Sequence, residues 1–362
     1  MPEAMKVLFA FKNGHWPEFS GGVQSNTDYL ARALQQRGHE VSVLCSLFGR
    51  GRFGLLSRAK LKISRMPWVC DTRLGYPVFR AWNVESIAGQ LARHLQADIV
   101  VPQCHQTVPI AHSIMGASNA AVVPYFHNVE FNELGGCPRL PGINHYISNS
   151  HFTAKRFEDE FGIVSDVVPP IIECDRYACN ARGDFVTFIN PIEKKGLNIA
   201  AELAECFPHI PFLFVRSWDL SAEQEDKLDQ ACRGRGNISV VQPTSDMREI
   251  YSKTKILIAP SQWAEAWGRV ASEAQCSGIP VLGSRIGGLV EAIGPGGITL
   301  PSNAPISVWI NALGEMLKNE ELYRRLSASA FQHSQRPGAN PDRQITQLEL
   351  TMMQAIRSKN KS

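Results

Sequence analysis

KVLFAFKNGHWPEFSGGVQSNTDYLARALQQRGHEVSVLCSL, residues 6–47, holds in order an apolar strand, a glycine loop, an amphipathic helix and a second strand. Lys6 to Phe11 is an apolar run of strand length. Gly21-Gly22 follows, and from about Gln24 the residues Tyr29, Leu30, Ala33 and Leu34 recur at helical spacing until Gly38 ends the helix. Val41 to Leu47 is the next strand. Apolar strands alternating with helices form a parallel sheet covered on both faces, so this stretch makes the chain an α/β protein.

The same alternation extends outward. Strands are expected at Ala97 to Val101, Ala121 to Phe126 and His145 to Ser148, with helices near Val84 to Leu95 and Phe152 to Phe161. Pro169-Pro170 and the polar stretch Glu173 to Asp184 break the pattern, which restarts at Phe185. Phe185 to Ile189, Pro211 to Val215, Ile238 to Val241, Ile256 to Ala259 and Val281 to Leu282 read as strands. Leu197 to Cys206, Ala222 to Cys232, Met247 to Ser252 and Arg269 to Ser277 read as helices. The expected organisation is two Rossmann-like, doubly wound domains, 1–175 and 176–335, facing a central cleft. A tail helix over 336–362 has no assigned packing partner. At 362 residues the chain is too long for one ordinary core, which fits two domains.

A formal charge of +3 is too small a basic excess to point to nucleic acid as a partner. No apolar run approaches the roughly 18 residues of a membrane span, and the opening lacks a secretory pattern, so the expectation is a cytoplasmic protein. Nine cysteines without a CxxC read as reduced thiols rather than as a disulfide framework or a zinc site. Gly49-Arg-Gly-Arg-Phe-Gly54 matches a dinucleotide-binding pattern but follows the second strand rather than the first, which argues against that use.

The stretch richest in chemistry is Ser261-Gln-Trp-Ala-Glu-Ala-Trp-Gly-Arg-Val-Ala-Ser-Glu-Ala-Gln-Cys-Ser-Gly-Ile-Pro-Val281. If a helix starts near Gly268, Glu265 lies just before it and Glu273 about one turn inside, so both carboxylates can address one ligand. The amides of Gly268, Arg269 and Val270 then sit where a helix start attracts phosphate.

With its flanking residues this stretch resembles the family 4 retaining glycosyltransferases of the GT-B fold, whose donor site carries Glu-x7-Glu. The resemblance extends to Gly21-Gly22, Gly38-His39-Glu40-Val41, His127, Ser148-Asn149-Ser150, Lys195-Gly196, Pro260-Ser261 and Gly287-Gly288-x-x-Glu291. It implies transfer of a hexose-type sugar from a nucleoside-diphosphate donor, with uracil the commonest base and so UDP the expected carrier, in glycan, glycoconjugate or natural-product synthesis. The acceptor, a lipid-linked sugar, glycan or small molecule, would lie on the first domain and the donor on the second. Glu265 would hold the donor sugar, Glu273 the ribose and Lys195 the departing diphosphate. Gly21, Gly22, Gly287 and Gly288 would let backbone approach the donor, with His127 beside the reacting sugar. No Asp-x-Asp occurs, so neither metal nor other cofactor is expected. The family's usual arginine six residues before the Lys-Gly glycine is replaced by Asn190; either Arg216, Lys194 or Arg269 substitutes or the donor phosphates are held more weakly, and the first expectation is Arg216, which ends the next strand, ahead of Lys194. A nucleotide-sugar 2-epimerase and a non-catalytic nucleotide-sugar binder remain the alternatives.

A further segment stands apart: Arg50, Arg52, Arg58, Lys60, Lys62 and Arg65 occur with no acid between Phe48 and Cys70, interleaved with Phe53, Leu55, Leu56, Leu61, Ile63 and Trp68. Residues 50–66 so composed suit a peripheral contact with anionic membrane or a phosphorylated acceptor.

Overall fold

The computed structural model describes residues 4–217 and 219–361. It divides into two compact units, one formed by the chain up to Ile171 together with Asp342 onward, the other by Ile172–Pro341. The division falls a few residues before the one read at 175.

The first unit runs β1 (Lys6–Phe11), α1 (Gly22–Gln36), β2 (Glu40–Ser46), α2 (Gly51–Ser64), β3 (Val69–Asp71), β4 (Val78–Ala81) and α3 (Val84–Leu95). It continues through β5 (Ile99–Gln103), α4 (Thr107–Ala117), β6 (Ala121–Val122), β7 (Tyr125–Phe126), β8 (Ile147–Ser148), α5 (His151–Phe161) and β9 (Asp166–Val167). The sheet order is β3-β4-β2-β1-β5-β7-β8-β9, with β6 beside β5. All pairings are parallel except β3 with β4. Central β1 feeds both cores: Val7, Phe9 and Phe11 enter one, Leu8 and Ala10 the other, as a pleat buried on both faces requires. Local chemistry sets the helix ends. The Asn83 and Ser150 side chains accept the amides of Ser86 and Thr153, and Gln96 and Gly162 close α3 and α5 in the left-handed conformation.

The second unit runs β10 (Phe185–Ile189), α6 (Leu197–Cys206), β11 (Phe212–Val215), α7 (Ala222–Cys232), β12 (Ile238–Val241), α8 (Arg248–Tyr251) and β13 (Thr254–Ala259). Then follow α9 (Arg269–Gln275), β14 (Val281–Ser284), α10 (Leu289–Ile293), β15 (Gly297–Leu300), α11 (Ile306–Lys318) and α12 (Glu320–Ser334). Its sheet, β12-β11-β10-β13-β14-β15, is parallel throughout. The strand order reverses between β10 and β13, and a crevice opens at the carboxyl ends of strands at such a reversal.

The last helix, α13 (Pro341–Lys359), belongs to the first unit from Asp342 onward. Ile345, Leu348, Met352 and Ala355 enter the core that holds Phe9 and Leu34. Glu349 on this helix takes Arg37 at 2.5 Å and the buried His39 Nε2 at 2.9 Å. His39 Nδ1 accepts the Met5 amide at 3.1 Å, so its proton is on Nε2 and is donated to Glu349.

The reading of all cysteines as reduced is corrected. Cys174 and Cys276 are disulfide-bonded, 102 residues apart with Cα atoms 5.2 Å from one another. No local spacing announces such a pair; the fold brings it together by laying the segment before β10 against the end of α9.

Candidate functional site

In the second unit three loops at the carboxyl ends of adjacent strands meet. The loop after β10 carries Asn190 to Gly196, that after β13 carries Pro260 to Gly268, and that after β14 carries Arg285 to Gly288. Lys195 Nζ lies 2.9 Å from Glu265 Oε2, and both side chains are largely buried. The approach of these loops depends on glycine. At Gly196, with φ +92°, a Cβ would lie 2.1 Å from the Pro260 carbonyl oxygen. At Gly287, with φ +60°, it would lie 2.2 Å from the Glu265 carbonyl oxygen, which also accepts the Gly288 amide at 2.7 Å. Gly287 and Gly288 therefore hold the backbone of the residue that carries the carboxylate.

Gly268, at φ +112°, opens α9, followed by Arg269 and Val270. One turn in, Glu273 is buried and doubly held: Tyr251 Oη donates to Oε2 at 3.0 Å, and Arg269 Nε lies 3.3 Å from Oε1. Burial, and then the Glu273 carboxylate, push the Tyr251 hydroxyl well above its ordinary range, which keeps it a donor. Tyr177 Oη in turn meets Arg269 Nη2 at 3.4 Å. Lys194 and Lys195 Nζ lie 5.3 and 5.4 Å from the Trp263 ring. A groove of about 360 Å³ opens beside them, lined by Glu193, Lys194, Glu223, Lys227 and Trp263 among others. Lys227 is committed there to Glu193 and Glu223, at 2.5 and 2.8 Å, so its charge is already balanced.

Asn190 gains a backbone role, and the expectation for Arg216 changes. Asn190 was read through the charge it lacks, but it sits at φ +62°, a left-handed conformation that asparagine tolerates better than most residues. Its backbone N–H donates to Val215 O at 2.9 Å, and its side-chain Oδ1 is buried without a partner among the described residues. Arg216 was expected to lean toward Asn190. Instead its guanidinium ion-pairs with Glu225 of α7 and meets Gln242, which follows β12, so it leans away from β10. Adjacency of strands sets backbone spacing, not the direction of a side chain, and Glu225 decides the direction.

The other expected residues belong to the first unit. Gly22 opens α1, two residues before the expected start, and Gly21 at φ 179° is extended, a conformation open to any residue. His127 follows β7, packs on Tyr125 with ring centroids 4.0 Å apart, and places Nε2 2.8 Å from Gln103 Oε1. Thr27 Oγ1 of α1 donates to the same oxygen at 3.2 Å. Gln103 ends β5 where this sheet, too, reverses its order, between β1 and β5. Sequence reading missed Gln103, Trp263, Tyr251 and Tyr177; only Gln103 had a signal, as the polar end of an apolar strand. Among the described residues no group of three or more His, Cys, Asp or Glu could hold a metal ion.

Comparison with known proteins places these observations. Residues 20–176 match the family model Glycosyltransferase Family 4, and residues 192–333 match Glycosyl transferases group 1. Curated relatives include a D-inositol 3-phosphate glycosyltransferase of Corynebacterium glutamicum, 35% identical over 94 residues, 25% of this chain and 22% of the relative. The protein of the same name from Corynebacterium urealyticum is 30% identical over 150 residues, 39% of this chain and 35% of the relative. The chain thus spans well under half the length of these relatives. Among solved structures, Anabaena Alr3699/HepE in complex with UDP-glucose aligns with TM-score 0.76 at 17% identity, over 97% of this chain and 100% of that one. Sucrose-phosphate synthase from Thermosynechococcus elongatus aligns with TM-score 0.77 at 15% identity, over 98% and 99%. At such identities these two likenesses speak for the fold.

Proposed function

We propose that this chain, which belongs to the family 4 glycosyltransferases of the GT-B fold, moves a hexose-type sugar from a nucleoside-diphosphate donor bound by its second unit to an acceptor bound by its first, with retention of anomeric configuration. The observation that carries the reading is the buried Lys195–Glu265 pair at the strand-order reversal of the second sheet.

The chemistry asked of these residues is limited. A nucleoside diphosphate leaves with charge on its phosphate oxygens, and a cation preorganised in a largely buried site stabilises that charge far more than one in water. Lys195 supplies it, exchanging Glu265 for phosphate oxygens when the donor enters. Glu265, released from the ammonium, accepts hydrogen bonds from the sugar hydroxyls and orients the anomeric carbon. Glu273, its other contacts fixed by Tyr251 and Arg269, takes the ribose hydroxyls. With Arg216 committed to Glu225, the substitute for the missing arginine is Lys194, next to Lys195 and without a carboxylate partner among the described residues. His127, oriented by Gln103, stands on the acceptor unit.

UDP is the proposed carrier, since the HepE neighbour is described with UDP-glucose. The test is a panel of UDP-, GDP-, ADP- and dTDP-sugars read by thermal shift and by release of free nucleotide. A donor at 100 times its dissociation constant raises stability by about 2.7 kcal/mol. One family of donors should both stabilise and turn over, and turnover should persist in EDTA. Stabilisation without nucleotide release would make the chain a binder, and no response to any donor would overturn the reading. The anomeric configuration of the product, read by NMR, checks retention.

A further inference from the structure

We propose that the outward face of α2 is a docking surface for an anionic lipid bilayer. The helix is seated on the first unit by one side only. Phe53, Gly54, Ser57 and Leu61 face the protein; the Phe53 ring lies under the guanidinium groups of Arg73 and Arg80, at 4.7 and 4.8 Å. At Gly54 a Cβ would come within 2.3 Å of the Gly49 backbone, so the helix start is packed against the loop that precedes it. That loop is itself held, since the Glu18 carboxylate accepts the amides of Phe48, Gly49 and Arg50 at 3.2, 2.7 and 3.2 Å.

The opposite side is equally apolar and is exposed. Leu55, Ala59 and Ile63 are spaced four apart and form one stripe, with Leu56 beside it. Leu55 and Leu56 are about three-fifths exposed and Ile63 is 82% exposed. At 100° per residue, which follows from 3.6 residues per turn, the inward and outward stripes lie on nearly opposite sides of the helix. Arg58 and Lys62 flank the outward stripe on one edge and Lys60 on the other, with Arg52 at its amino end. None of these cations pairs with a carboxylate among the described residues, and no acid occurs from Phe48 to Cys70.

This arrangement fits a bilayer surface better than a second folded chain. A narrow stripe of four small aliphatic side chains inserts into the headgroup boundary, while lysine and arginine on both edges extend to lipid phosphates. A protein partner would need matching acids along both edges. The inference concerns a helix of the first unit, uses neither Lys195 nor Glu265, and stands whether or not the donor reading holds.

Co-sedimentation of the full chain with vesicles tests it, using phosphatidylcholine alone and phosphatidylcholine with roughly a third phosphatidylglycerol. The wild type should sediment with the anionic vesicles, weakly with neutral ones, and less as salt rises toward about 0.5 M. Leu56→Glu with Ile63→Glu, and separately Lys60→Glu with Lys62→Glu, should each lower the partition coefficient at least tenfold. These side chains are exposed, so both variants should keep the wild-type melting temperature. The inference is overturned if the wild type ignores anionic vesicles, or if binding needs the cations but not Leu56 and Ile63. It is overturned equally if the chain forms a lipid-independent dimer that either variant abolishes, which would assign the face to a second copy.

Discussion

Glu265 and Lys195 make each other affordable: each buried charge is compensated by the other, and removing one leaves the second exposed to the full cost of burial. Glu265→Gln keeps the shape and removes the charge, and should cut turnover roughly a hundredfold or more while leaving a folded protein. Lys195→Ala should do the same, with an added loss of nucleoside-diphosphate binding relative to the uncharged nucleoside; wild-type turnover in both variants would remove the site assignment. A different residue governs pH. His15 is fully buried; its Nε2 meets Tyr76 Oη at 3.0 Å, and Tyr76 donates onward to Asp28 Oδ1 at 2.9 Å, so His15 is the donor and its proton is on Nε2. Its Nδ1 has no partner among the described residues. Burial, then the nearby Arg80 charge, lower its pKa from 6.5 to about 3. Over that interval the unfolded chain binds the proton and the folded one does not, so stability is fully present above pH 6.5 and falls as pH drops toward 3. From pH 6.5 to 5 the loss amounts to about 2 kcal/mol. Urea midpoints measured at both pH values should show it, and His15→Gln should flatten the slope.

Helices and strands differ in how openly they appear in the chain. The runs Lys6–Phe11, Phe185–Ile189 and Phe212–Val215 are legible because each is buried on both faces and so reads as unbroken apolar sequence. Helix α2 is not, because its apolar residues point two opposite ways and cancel the one-sided periodicity by which a surface helix is recognised. Strand β3 escapes for want of length, β4 because Arg80 interrupts its apolar run, and the orientation of Arg216 because a partner on another element sets it. The Glu265, Lys195 and Gly287 constellation was readable from residue types in order along the chain, whereas Tyr251 joins Glu273 only through the fold. The Cys174–Cys276 bond is equally invisible locally, and it fastens the segment entering the second unit to the helix bearing Glu273. On the chain-entropy account, closing so long a loop contributes about 4–5 kcal/mol. A reductant should therefore lower the melting transition of the second unit, and Cys276→Ser should melt at the same lower temperature with or without it.

On the scale of the whole molecule, the tail changes the plan that the sequence suggests. Composition and the break at Pro169-Pro170 indicate two domains in succession, and a helix can be seen near the end, but periodicity says only that it has an apolar face, not which core receives it. The structure gives that face to the first unit. Ile345, Leu348 and Met352 are fully buried or nearly so, and full burial of such side chains contributes roughly 1.5–3 kcal/mol each. Their sum is comparable with the 5–15 kcal/mol that holds a typical domain. Ending the chain at Pro341 should therefore abolish the melting transition of the first unit in calorimetry while leaving that of the second; two intact transitions would show α13 to be dispensable. The same feature sets an order of events during synthesis. Residues 172–341 leave the ribosome as one uninterrupted piece and can fold as soon as they emerge, whereas the first unit lacks part of its core until α13 has followed them. At about 5–20 residues per second, the first unit must spend many seconds as an unfinished sheet with an uncovered apolar face, and its window of vulnerability to aggregation and proteases closes only when α13 emerges.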